Sequence, residues 1–91
     1  METIQIHPLP QSSREIIRYI SKNGPTSPQR LSEHCQIPMR TVSYALKRLR
    51  GQKLVRKVID LQDMRSPRYH LMIGPKIVKQ FLDLPPLRHY E

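Results

Sequence analysis

Arg40, Tyr44 and Lys47 follow one another at intervals of four and three residues, which sets them on one face of an α-helix. Ser43, Thr41 and Arg48 flank them, so this face offers several hydrogen-bond donors and no carboxylate. A face of that kind suits a polyanion. On a nucleic-acid duplex, Arg40 has the planar fork that matches guanine O6 and N7. Ser43 and Tyr44 can reach bases or phosphates, and Lys47 and Arg48 the backbone. The opposite face of the same helix carries Val42, Ala45, Leu46 and Leu49 at i, i+3, i+4 and i+7, a narrow apolar stripe that needs a core to bury it.

The charge distribution points the same way. Sixteen Lys and Arg stand against seven Asp and Glu, a net charge of +9. No acid occurs between Glu33 and Asp60, where Arg40, Lys47, Arg48, Arg50, Lys53, Arg56 and Lys57 all fall. A positive field focused on one segment attracts phosphate backbones or anionic lipid heads. The basic residues lack a Trp/Phe-rich apolar face beside them, which argues against a membrane surface. With 91 residues the chain makes one small domain with a modest core. Gly-rich phosphate loops, G-x-S-x-G and H-E-x-x-H are absent, so catalysis is not expected. Cys35 is the single cysteine, and His7, His34, His70 and His89 lack ligand spacing, so neither a disulfide nor a metal or other cofactor is expected. No apolar run approaches a membrane span and the N-terminus lacks a signal-peptide core, which gives a cytoplasmic, nucleoid-associated protein as the expectation.

Taken in order, residues 1–11 read as an extended arm, alternating from Thr3 to His7 like a short strand, with Pro8 and Pro10 excluding a helix. The Ser-x-x-Glu spacing of Ser12 and Glu15 predicts a helix start, with Ile16, Ile17 and Ile20 inward and Arg14, Arg18 and Lys22 outward, up to Asn23-Gly24-Pro25. Ser27 caps a second helix opened by Pro28. Its N-terminus, with Ser27 and Gln29, is expected to serve as an anchor for a phosphate. A tight turn at Gln36-Ile37 leads into the third helix, opened by Pro38 or Met39 and closing near Gly51. Two helices so joined form a helix-turn-helix. From Leu54 the period changes to two: Leu54–Ile59 and Arg68–Ile73 read as a hairpin whose tip, Asp60 to Pro67, carries Arg65 with Arg68 beside it. Ile77, Val78, Phe81 and Leu82 define a last helix halted by Pro85-Pro86, with 85–91 as a tail and 12–84 as the folded domain.

This element order is that of a winged helix-turn-helix. The stretch Arg40-Thr41-Val42-Ser43 to Leu54-Val55 resembles the recognition helix and following strand of bacterial and archaeal winged-helix repressors. Asp60-Leu61-Gln62-Asp63-Met64-Arg65-Ser66 is similar to the D-P-x-D-R-R-S wing of the MarR family, the multiple antibiotic resistance regulators. The resemblance covers roughly residues 13–74. It implies an α+β, mostly α fold: a three-helix core, a two-stranded β-hairpin wing and a short C-terminal helix. It further implies contacts to double-stranded DNA from Arg40, Thr41, Ser43, Tyr44 and Lys47, and Met39 and Arg48 of the same helix are counted with them in the expected DNA-binding set. Arg65 would enter the minor groove, buttressed by Asp63 or Asp60. Met64 stands where the family has one of two paired wing arginines, and Lys53 where it has a glycine. The family's dimerisation helices have no counterpart in these 91 residues. A homodimer would form through Lys76–Leu84 or the N-terminal arm.

The function expected is a sequence-specific, double-stranded DNA-binding transcriptional regulator, with the third helix in the major groove and the wing in the minor groove. Two alternatives use the same fold: a protein-interaction module of a transcription or nucleic-acid-processing assembly, and an RNA-binding winged helix. The second runs against the depth of the A-form major groove, which side chains cannot read.

Overall fold

The computed structural model describes residues 5–59, 61–62 and 67–87. Helices α1 (Gln11–Asn23), α2 (Pro28–Cys35) and α3 (Met39–Gly51) come first. Strands β1 (Val55–Val58) and β2 (Arg68–Leu71) follow, then α4 (Pro75–Asp83). The α+β, mostly α arrangement is thus the one expected. The strands pair antiparallel with Val55 opposite Leu71 and Val58 opposite Arg68. On its other side β2 meets Thr26, whose N–H and C=O exchange hydrogen bonds with Tyr69 at 3.3 and 2.8 Å. That bridge ties the α1–α2 link to the hairpin.

One core joins the elements. The α3 stripe of Val42, Ala45, Leu46 and Leu49 meets Ile16, Ile17 and Ile20 of α1, Leu31 of α2, Leu54, Val55 and Tyr69 of the hairpin region, and Val78 and Phe81 of α4. These are the residues that helical period and strand alternation mark as inward, and their removal from water is the main force ordering so short a chain. Ile37 is half-buried and packs against this core at the turn between α2 and α3, as a plug between the two helices should.

Several local expectations are corrected. Helix α1 begins at Gln11 rather than Ser12, and its N-cap is Pro10, with no side-chain cap. Extended Pro10 delivers its carbonyl to the Arg14 N–H at 3.0 Å, so the turn closes without the Ser12–Glu15 box. Glu15 instead accepts from Gln11 Nε2 and Arg18 Nη1, both at 2.9 Å. Ser13 turns inward. Arg14 does not point away: its Nη2 donates to the Leu82 carbonyl at 2.7 Å and fastens α1 to the end of α4.

The described part of the N-terminal arm forms no regular strand, because Pro8 and Pro10 have no N–H to give a ladder. It packs instead: Leu9 is in the core, its carbonyl accepts the Leu87 N–H at 2.8 Å, and the His7 ring stands edge-on to Phe81 at 5.8 Å. The two strands are shorter than their apolar runs suggested, leaving Ile59 and Met72 exposed beyond their ends.

Two turn residues adopt left-handed backbone without being glycine, Gln36 at φ 55° and Lys53 at φ 62°. Gln36 closes α2, with the Ile37 N–H donating to the Ser32 carbonyl at 3.2 Å and the Ser32 hydroxyl donating to the Ile37 carbonyl at 2.6 Å. Lys53 reverses the chain from α3 into the hairpin, and the Leu54 N–H returns to the Leu49 carbonyl at 2.9 Å. The glycine that the resembled family keeps at this position has a physical reason here: the turn needs positive φ.

Candidate nucleic-acid interface

Burial of one face of α3 fixes the direction of the other. Arg40, Ser43, Tyr44, Lys47 and Arg48 are exposed, Met39 is largely so at the first turn, and Thr41 is half-buried. Tyr44 stands out because 74 % of its surface is open to solvent, an aromatic ring with no intramolecular reason to be there. The described acids, Glu15, Glu33 and Asp83, lie on α1, α2 and α4, so nothing on α3 opposes its cations.

Beside this face runs an open groove of about 810 Å³, with Arg40, Tyr44, Lys47 and Arg48 on one wall and Ser12 and Ser13 on the other. The structure therefore brings five of the expected residues, Arg40, Thr41, Tyr44, Lys47 and Arg48, to one depression, together with the start of α1, which the sequence marks only as a helix cap. Helix α1 has no acid in its first turn and no side chain capping it, so its N-terminal dipole end is open toward the same groove. Met39 and Ser43 lie outside the groove lining.

A second cleft, of about 410 Å³, lies at the N-terminus of α2 between Tyr19, Thr26, Ser27, Arg30 and Arg68. Ser27 caps the helix as expected, accepting the Arg30 N–H at 3.3 Å, and it lines this cleft, whereas Gln29 is exposed outside it. Arg68 opens β2 opposite Val58, where the strand reading put it, and lines the α2 cleft, because the Thr26–Tyr69 bridge draws the strand end against the α1–α2 link. Thr26 and Arg30 were not singled out by sequence reading. No local period connects them to Arg68, and only the bridge does. Arg65, with Asp60 and Asp63, lies outside the described residues.

Other chemistry is sparse. Among the described residues no group of His, Cys, Asp and Glu is placed to hold a metal ion. Cys35 donates weakly to the Glu15 carbonyl at 3.9 Å, and burial, with the Glu15 carboxylate adding to it, pushes its thiol above the ordinary value. His34 tilts over Tyr19 at 5.3 Å rather than toward Cys35 chemistry. No helix among the described residues is long and apolar enough to cross a membrane.

A buried-stripe helix with an exposed cationic face, preceded by a capped short helix and followed by a hairpin, is the arrangement of a winged helix-turn-helix. Residues 9–56 match the family model described as winged helix-turn-helix DNA-binding, and the chain belongs to that family. No curated protein matches it in sequence. Among solved structures, it is similar to the transcriptional regulator Tm0710 from Thermotoga maritima, with a TM-score of 0.72 and 21 % identity over 82 % of this chain and 54 % of that one. It is likewise similar to the YusO protein from Bacillus subtilis, at 0.73 and 16 % over 82 % and 54 %. The adhesin competence repressor from Streptococcus pyogenes gives 0.72 and 20 % over 82 % and 56 %. These structural neighbours are MarR-family transcriptional regulators, and at such identities the likeness is one of fold. The chain spans about half the length of each.

Proposed function

We propose that this protein is a transcriptional regulator that reads duplex DNA in sequence-specific fashion, with α3 in the major groove and the hairpin wing in the adjacent minor groove. The observation that carries the reading is the exposed Arg40–Tyr44–Lys47 face on a helix whose other side is locked into the core. A major groove about 12 Å wide admits one such helix. Met39, Arg40, Thr41, Ser43 and Tyr44 are assigned to bases and nearby phosphates, Lys47 and Arg48 to the backbone. Arg65 is assigned to a narrow, electronegative minor groove. The fold of the regulators above supports the same role, as does the acid-free stretch from His34 to Ile59.

One helix and one wing cover few bases, so the chain is assigned as a homodimer on a two-fold-related site. A nucleoid location follows from that role. The test is selection of bound duplexes from a random pool at two salt concentrations, followed by Arg40→Ala. An enriched two-fold motif, with Arg40→Ala losing ~1–3 kcal/mol on that motif and little on random duplex, is the expected result. Salt-sensitive retention with no motif would turn the reading toward a protein-interaction module whose basic face binds phosphate without sequence preference.

A further inference from the structure

We infer that the cleft between the N-terminus of α2 and the first residue of β2 holds one phosphodiester group of the bound duplex. The ligands are the guanidinium groups of Arg30 and Arg68 and the hydroxyl of Thr26. The assignment rests on the duplex-binding reading above and gives it a specific anchor outside α3.

Four observations converge on this cleft. Arg30 and Arg68 both line it and are exposed, and among the described residues neither has an acid or other hydrogen-bond partner for its guanidinium. Two unpaired guanidiniums sharing one depression repel each other until an anion joins them, and their planar forks match a tetrahedral oxyanion.

The second is Thr26, 5 % exposed, whose Oγ1 is sealed from solvent with no hydrogen-bond partner. A buried hydroxyl in that state is uncommon, and this one lies in the wall of a cleft that the two exposed arginines also line. When the arginines close on an anion, the hydroxyl gains the acceptor it lacks.

The third is the first turn of α2. Ser27 and Arg30, its N-cap and third residue, both line the cleft, which sets the positive end of the helix dipole beside it.

The fourth is position. The Thr26–Tyr69 bridge holds β2 against this helix end, so the cleft joins the helix-turn-helix to the base of the wing. A phosphate seated here would fix how far α3 enters the groove and in which direction the hairpin leaves it, which is the positioning role that backbone contacts play.

The test uses the full chain with Arg30→Gln, Arg68→Gln, the double variant and Thr26→Val, titrated against preferred and random duplexes. Between about 50 and 200 mM salt, each arginine variant should lower the slope of log affinity against log salt by about 0.9, so that its deficit shrinks about threefold over that range. The loss should be the same on both duplexes. Replacing single phosphates by neutral methylphosphonates should reveal one position per half-site that weakens the wild type and leaves the double variant unaffected. Thr26→Val should weaken binding at that same position while the melting temperature holds or rises, because the variant no longer buries an unpartnered hydroxyl.

Unchanged slopes, or losses from Arg30 and Arg68 that map to different phosphates, overturn the assignment and leave the α3 reading standing. If inorganic phosphate alone shifts the Thr26 and Arg30 amide resonances while every variant binds duplex like the wild type, the cleft is a free-anion site and the duplex assignment falls. A wild type that no duplex retains ends both readings together.

Discussion

Replacing Gln36 with glycine should stabilise the fold, and the size of the effect can be worked from the backbone. Gln36 holds φ 55° and ψ 47°, the left-handed region, where a Cβ crowds the following carbonyl at a cost of roughly 1–2 kcal/mol. Glycine removes that cost but loses more freedom on folding, about 0.4–1 kcal/mol. The net gain is about 0.5–1 kcal/mol, which for a domain of this size is a rise of about 2–8 °C in melting temperature. The side chain of Gln36 is exposed and makes no hydrogen bond that the substitution would remove. Urea unfolding followed by circular dichroism measures the midpoint, and an unchanged m-value would show that the denatured ensemble is not what moved.

Gly24 supplies the opposite arm of the same experiment. It sits at φ 82° and ψ −168°, a region reserved for glycine, and a Cβ there would meet no atom within 4 Å. Gly24→Ala should therefore lose about 1–3 kcal/mol through backbone conformation alone. If Gln36→Gly lowered the midpoint, the account of the α2–α3 turn would be wrong, and if Gly24→Ala left it unchanged, the backbone after α1 would not be under the constraint described.

Leu46→Ala empties a fully buried position in the α3 stripe and should cost about 2–5 kcal/mol in the same assay, a large part of the total stability of a small domain; a loss under 1 kcal/mol would mean that α3 is not held by that stripe. Ser32→Ala removes the hydroxyl that donates to the Ile37 carbonyl and should cost about 0.5–1.5 kcal/mol, read by denaturation, with no change in the salt slope of duplex binding. Cys35 should alkylate more slowly in the folded chain than in urea at about pH 8. Its raised thiol pKa leaves less thiolate, and the gap should narrow as pH rises past the folded value; equal rates at both pH values would show that burial does not govern this thiol.

The helical period made α3, the inward faces of α1 and α4, and the change to strands after Leu54 legible, because burial of one face is a repeating demand that leaves a repeating pattern. The start of α1 was less so. Ser12 and Glu15 have the spacing of a capping box, yet the extended prolines before them bring the chain in at an angle at which Pro10 closes the first turn and Glu15 is drawn to Arg18. Arg14 shows a different limit. A charged residue on a helix reads as outward, but its long side chain travels to a carbonyl at the far end of the sequence, and nothing local encodes that. The α2 cleft is the clearest case, since the sequence reads Arg68 as the start of the returning strand but only the pairing of Thr26 with Tyr69 shows that this strand end stands beside Arg30.

One depression runs along α3 and the other lies at the start of α2, and this gives the turn that joins the two helices a functional weight beyond its stability. A phosphate bound at the α2 cleft and base edges bound by α3 can be satisfied together only if the angle between the helices is fixed to within a small fraction of a hydrogen-bond length. The reciprocal Ser32–Ile37 hydrogen bonds, the left-handed Gln36 and the half-buried Ile37 are the parts that fix it. Rigidity there reduces the ordering cost at binding, so the strain held at Gln36 is compatible with tight recognition only because the surrounding packing over-determines the turn. Relieving that strain with glycine while keeping Ser32 and Ile37 should leave the helix angle, and hence the affinity, unchanged. Removing the Ser32 hydroxyl should loosen the angle and weaken recognition of the preferred site more than binding to random duplex, since backbone contacts tolerate a misdirected helix and base contacts do not.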